Sequence, residues 1–201
     1  MREQIHNTEE SVELRKKLLE LVLDKCFRLG DFTLASGKKS DYYIDGRIAS
    51  LHPEGAYCIG KLFGAHAARL GADCVGGLTL GADPIVGAVV ALSKLSGNPV
   101  RGFIVRKKTK EHGTGKLLEG DLREGDSVVI LEDVVTTGGS ALKAVDEATE
   151  AGAEVKAVLA VVDREEGGSE NFAKRGLVFI PLFKASELKE IAKRRADSNK
   201  Q

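Results

Sequence analysis

Four consecutive apolar residues, Val128, Val129, Ile130 and Leu131, constrain the fold more than any other feature of the chain. A strand with apolar side chains on both faces must be covered on both faces, which is the mark of a parallel sheet held between helices. The flanking patterns agree. From Pro53 onward the spacing of apolar residues predicts helix over 53–70, strand over 74–78, helix over 84–95 and strand over 100–105. It continues with strand over 127–131, helix over 139–151, strands over 155–162 and 177–181, and a last helix from Ser186. This alternation predicts an α/β fold, an open parallel sheet flanked by helices. A chain of 201 residues suits a single domain, residues 1–201, around one sizeable core.

The first 50 residues read differently. Leu14, Leu18, Leu21 and Val22 recur at helical spacing and predict an amphipathic helix over 11–27, with Gly30 as its stop. Short extended runs at 32–34 and 42–48 flank the polar turn SGKKSD, so a helix and a small hood are expected beside the main sheet. The closing KRRADSNKQ reads as a polar tail.

Lysine plus arginine equals aspartate plus glutamate at 30 each, so no global field draws the protein onto nucleic acid or an anionic membrane. Anion binding must be local. The N-terminal MREQIHNTEES lacks the apolar core of a signal peptide, and no run approaches the ~18 apolar residues of a membrane span, so the cytoplasm is the expected location. Cys26, Cys58 and Cys74 are odd in number and set among apolar residues, which favours reduced core thiols over disulfides or a zinc site.

The chemistry gathers where the apolar run ends. Glu132 and Asp133 stand where the strand is expected to emerge, and ligands of open α/β sheets bind outside the carboxyl ends of the strands. Ribose hydroxyls or a hydrated magnesium ion suit two such acids. After Val134 and Val135 come Thr136, Thr137, Gly138, Gly139 and Ser140, whose glycines allow a tight turn with several N–H groups facing one anion. The hydroxyls add donors, and the helix that starts here adds the positive end of its dipole. Acids for a sugar beside donors for its phosphate describe a sugar-phosphate site; a plain glycine-rich turn with solvated acids is the alternative.

Two further segments attract notice. Residues 106–120, RKKTKEHGTGKLLEG, lack periodicity and carry three glycines, five basic residues and His112, as a lid or binding loop does, with a solvated linker as the alternative. Arg164 follows the strand over 155–162 and also stands at a carboxyl strand end, where its planar fork can hold a carboxylate or pair with Glu165 or Glu166. One apparent motif is a decoy. Residues 55–61 have the glycine and lysine spacing of a triphosphate-binding loop, but Leu62 replaces the required serine or threonine and the segment reads as helix. No dinucleotide glycine fingerprint opens a helix after a strand.

The segment LEDVVTTGGSA closely resembles the phosphoribosyl pyrophosphate motif of the type I phosphoribosyltransferases. FTLASGKKSDYYIDGR, residues 32–47, and RKKTKEHG, residues 106–113, resemble the N-terminal signature and the mobile catalytic loop of the orotate phosphoribosyltransferases. The resemblance runs from about Phe32 to Pro181 and implies synthesis of orotidine 5′-monophosphate and pyrophosphate from orotate and phosphoribosyl pyrophosphate, in pyrimidine formation. It implies pyrophosphate contacts from Arg106, Lys107, Lys110 and His112, with Lys110 and His112 catalytic, on a loop that completes the site of a neighbouring subunit in a homodimer. Glu132, Asp133, Val134, Val135, Thr136, Thr137, Gly138, Gly139 and Ser140 would form the phosphoribosyl site, and Tyr43, Thr136 and Arg164 the orotate site. Mg2+ is implied as cofactor, held through substrate oxygens and water without an assigned protein ligand. His112 serves either as proton donor or as anchor, while His6, His52 and His66 read as structural.

The chain departs from the family pattern at Ala35 and Asp83, where some members carry lysines; Lys38, Lys39 or the backbone over 80–85 are the candidates to compensate. A purine phosphoribosyltransferase, or an RNA-binding regulator of the same fold, is the rival reading. The 32–47 segment and Arg164 argue against the first, and the neutral charge balance against the second.

Overall fold

The computed structural model describes residues 9–33, 37–107 and 117–198. Its main sheet runs in the order β5 (Leu118–Gly120), β4 (Arg101–Val105), β3 (Cys74–Leu78), β6 (Ser127–Val135), β7 (Glu154–Asp163) and β8 (Phe179–Lys184). The five strands β4, β3, β6, β7 and β8 are parallel, as expected. The sheet is nevertheless mixed, because β5 returns antiparallel along β4 as the edge strand. Three residues, Leu-Glu-Gly, are too few to show a period in sequence.

The doubly apolar strand works as its composition demands. Val129 and Leu131 join a core with Leu18, Ile59 and Phe63, whereas Val128 and Ile130 join a second core with Ala144, Val145 and Phe172. All four strand residues are fully buried. The first core lies under α1 (Glu9–Leu21), α3 (Pro53–Arg69) and α4 (Asp83–Leu95); the second lies under α5 (Gly139–Glu150) and α6 (Gly168–Lys174). A last helix, α7 (Ala185–Ser198), closes the β8 side. Residues 55–61 sit inside α3, where a Cβ on Gly55 would lie 2.1 Å from the Ala49 carbonyl oxygen, so those glycines serve helix packing.

The N-terminal expectations need correction. The helix ends at Leu21 and continues as a π-helical turn, Val22–Cys26, in which Phe27 N–H donates to the Val22 carbonyl. Gly30 is no helix stop; it lies within β1 (Phe27–Thr33), which pairs antiparallel with β2 (Lys39–Ile44) as a separate two-stranded sheet. Residues 46–48, read as strand, belong to the short helix α2 (Gly46–Ser50), capped by the Asp45 side chain on the Arg47 N–H. The three cysteines are free and buried. Among the described residues no helix is long and apolar enough to cross a membrane.

Candidate active site

β6 does not stop at Leu131. Its pairing with β7 continues through Glu132↔Ala160 and Val134↔Val162 to Val135↔Asp163, so both acids belong to the strand. Glu132 is buried at 5% exposure and Asp133 is half-buried. Glycines leave room for them: a Cβ on Gly81 would lie 2.7 Å from Asp133 Oδ1 and 3.1 Å from Glu132 Oε1, and one on Gly46 2.9 Å from Asp133 Cβ. The two carboxyls thus converge on the loop after β3, which contains a cis peptide between Thr79 and Leu80. Asp133 N–H donates to Glu132 Oε1 at 3.2 Å and Val134 N–H to Asp133 Oδ1 at 2.8 Å. Burial first, and then the neighbouring Asp133, push the Glu132 carboxyl up to about 9, while Lys107 pulls weakly the other way. Burial and the neighbouring acid thus favour the neutral form of Glu132.

The chain then turns into α5. Gly138 caps that helix in the left-handed region at φ 81°, with no side-chain cap on the first N–H groups. Helix N-termini leave these donors without intrahelical partners and add a partial positive charge, which suits a phosphate dianion. Thr137, Gly139 and Ser140 are exposed and Thr136 half-buried. The turn is backed by α6, an element absent from the sequence reading. A Cβ on Gly138 would lie 2.7 Å from Phe172 Cζ, and one on Gly168 2.4 Å from Val135 Cγ1. Asn171 Nδ2 donates to the Thr137 carbonyl at 3.0 Å.

Arg164 is fastened to the same turn, since its backbone N–H donates to the Val135 carbonyl at 2.8 Å. Its side chain is buried. Nε donates to Glu166 Oε1 at 2.8 Å, the guanidinium carbon stands 4.6 Å from the Tyr42 ring centroid, and Nη2 is buried with no hydrogen-bond partner. The expected alternative pairing with Glu166 does form, yet it leaves one buried guanidinium donor uncommitted. A cavity of about 660 Å³ lined by Phe32, Tyr42, Arg164 and Glu166 among others opens beside it. Tyr42, which the sequence reading passed over, is the ring on the arginine. Tyr43 alternates to the other face of β2, half-exposed and 5.6 Å from the Phe32 ring.

Only the base of the basic loop is described. Arg106 N–H donates to the Leu117 carbonyl at 2.8 Å and its guanidinium meets Glu119 at 3.3 Å, while the Lys107 carbonyl accepts from Lys143 Nζ of α5 at 3.0 Å. The loop therefore leaves the carboxyl end of β4 beside the helix that carries the phosphate turn. Lys110, His112 and the rest of 108–116 lie outside the described residues, as do Ala35 and His6. Of the compensating candidates, Lys39 is committed to the hairpin, donating to Thr33 Oγ1 at 2.9 Å. Asp83 accepts from Thr79 Oγ1 at 2.8 Å. His66 is buried against Arg69 and His52 precedes α3, both structural positions. Among the described residues no group of three or more His, Cys, Asp or Glu is placed to hold a metal.

An acid pair next to the uncapped start of a helix, at the carboxyl ends of parallel strands, goes with a sheet of the type I phosphoribosyltransferase fold. No protein-family model matches the chain. The comparison with individual proteins is more specific. The chain is 49% identical to the orotate phosphoribosyltransferase of Aquifex aeolicus over 177 residues, 87% of this chain and 97% of that one. It is 49% identical to that of Thermosynechococcus vestitus over 181 residues, 90% of this chain and 95% of the other. A crystal structure of Mycobacterium tuberculosis orotate phosphoribosyltransferase in complex with phosphoribosyl diphosphate superposes with a TM-score of 0.74 at 36% identity, covering 88% of this chain and 99% of that one. The chain belongs to the orotate phosphoribosyltransferase family, whose members are pentosyltransferases.

Proposed function

We propose that the protein transfers the ribosyl 5-phosphate of phosphoribosyl pyrophosphate to orotate, giving orotidine 5′-monophosphate and pyrophosphate. The observation that carries this reading is the link between two subsites: Val135 opens the phosphate turn and its carbonyl binds the backbone of Arg164 at 2.8 Å. In this reading the N–H groups and hydroxyls of residues 136–140 hold the 5-phosphate. Protonated Glu132 gives the ribose hydroxyls both a donor and an acceptor, and Asp133 an acceptor. Arg164, steadied by Tyr42 and Glu166, takes the orotate carboxylate through its free edge, with Thr136 and Tyr43 bordering the base.

Departure of pyrophosphate leaves an oxocarbenium-like ribosyl centre, so the reaction needs charge on the leaving group more than it needs a protein nucleophile. Arg106, Lys107, Lys110 and His112 supply that charge and exclude water when the loop covers the site. A loop that completes a neighbour's site requires at least a homodimer. A Mg2+ ion would be held mainly through substrate oxygens and water, with Asp133 as a partner of that water, and would supply Lewis-acid charge and a template for the pyrophosphate. No observation favours the purine or RNA-binding alternatives, or a nucleic-acid or membrane partner, and a cytoplasmic location goes with this reading.

Purified protein with Mg2+ is expected to deplete the ultraviolet absorbance of orotate only when phosphoribosyl pyrophosphate is present. Absence of turnover across ordinary pH would refute the proposal.

A further inference from the structure

We infer that Asn171 is a positioning residue for the ribose 5-phosphate subsite, acting through the peptide between Thr137 and Gly138; this rests on the proposed assignment of the turn. The helix α6 forms none of the cradle itself, yet it touches the turn at Gly168, Asn171 and Phe172. Two of those contacts are steric and fix where the turn lies. The third fixes how one amide is aimed.

Asn171 Nδ2 donates to the Thr137 carbonyl at 3.0 Å. The peptide that follows Thr137 is trans, so its carbonyl and its N–H, which belongs to Gly138, point in opposite directions. Drawing the carbonyl toward Asn171 therefore turns the Gly138 N–H away from the Asn171 amide. Gly138 sits at φ 81° and carries no Cβ, so on its side of the Thr137–Gly138 peptide no side chain resists rotation of that plane. Phe172 excludes a side chain at Gly138, which removes the usual means of stiffening such a turn. A hydrogen bond to the carbonyl is the remaining restraint, and Asn171 provides it. A donor held in place before the ligand arrives binds more tightly than one ordered on binding, because the ordering cost falls before association.

Steady-state kinetics and ribose 5-phosphate titration on the full chain test this. Asn171→Ala is expected to raise KM for phosphoribosyl pyrophosphate and Kd for ribose 5-phosphate roughly three- to tenfold, the effect of one neutral hydrogen bond, with KM for orotate unchanged within about twofold. Asn171→Asp, which loses the donor and adds a negative charge, is expected to weaken both further, with the extra loss fading at high salt. Arg175→Ala breaks the exposed ion pair to Asp146 at the far end of α6 and is expected to change neither constant. Equal loss in both substrates' KM, the same effect in the Asn171 and Arg175 variants, or unaltered ribose 5-phosphate affinity in Asn171→Ala would overturn the inference. If the wild type failed to turn over orotate, the proposed reaction would fall, while the ribose 5-phosphate titration would still decide the role of Asn171.

Discussion

Replacing Gly138 by alanine tests the phosphate turn through two separable costs. The first is conformational: Gly138 is left-handed at φ 81°, and an L-residue there loses about 1–2 kcal/mol. The second is steric. The new Cβ would stand 2.7 and 2.9 Å from Phe172 Cζ and Cε1, and Phe172 is fully buried with its ring 4.9 Å from that of Phe179, so it has little room to yield. Overpacking of that kind costs about 1–3 kcal/mol. The sum, roughly 2–5 kcal/mol, corresponds to a fall in Tm of about 5–15 °C for a chain of this size. Phe172→Leu in the Gly138→Ala background should recover the steric part and leave the conformational part, giving a coupling of about 1–3 kcal/mol in a double-mutant cycle read by urea unfolding. Gly87→Ala is the contrast, because it lies inside α4 with open space around its Cβ and should stabilise by about 0.5–1 kcal/mol. A Gly138→Ala protein within about 0.5 kcal/mol of wild type would refute the account of the turn.

Glu132 imposes a pH dependence of definite sign. Its folded pKa lies above the unfolded value, so its neutral form is accommodated at low pH, and stability falls as pH rises from the ordinary carboxyl value of about 4.5 toward about 9. Glu132→Gln removes this penalty, and its advantage over wild type in urea midpoints should grow between pH 5 and pH 8; a constant or shrinking difference contradicts the assignment. Arg164→Met should raise KM for orotate by about 10- to 150-fold, the loss of a charge-assisted hydrogen bond, while KM for phosphoribosyl pyrophosphate stays within about threefold. A parallel rise in both would mean that Arg164 holds the fold and not the base.

The sheet and the phosphate turn were legible because their signals are local. A run of four apolar residues cannot face water, and the glycines after Thr137 mark the turn at which α5 begins. What was missed depends on residues far apart in sequence. The strand was expected to end at Leu131 because two acids looked like an exit to solvent; pairing with β7 carries it to Val135, and glycines at 46 and 81 make the space that buries Glu132. The helix α6 has seven residues with one large apolar anchor, Phe172, too little for a period to show. Tyr43, and not Tyr42, was placed against the base by resemblance; the strand's alternation puts the Tyr42 ring against Arg164 and leaves Tyr43 half-exposed on the other face. The antiparallel β5 carried no signal of its own, and its three residues were read as the end of the loop over 106–120.

A base-competition assay tests the central claim most directly. With Mg2+ and phosphoribosyl pyrophosphate supplied, orotate, uracil, adenine, guanine and xanthine are offered in turn and kcat/KM is compared. A site whose buried arginine awaits a carboxylate should favour orotate over uracil, which lacks that group, by at least about a hundredfold, and should reject the purines. Comparable turnover of uracil, or preference for a purine, would contradict the placement of orotate against Arg164.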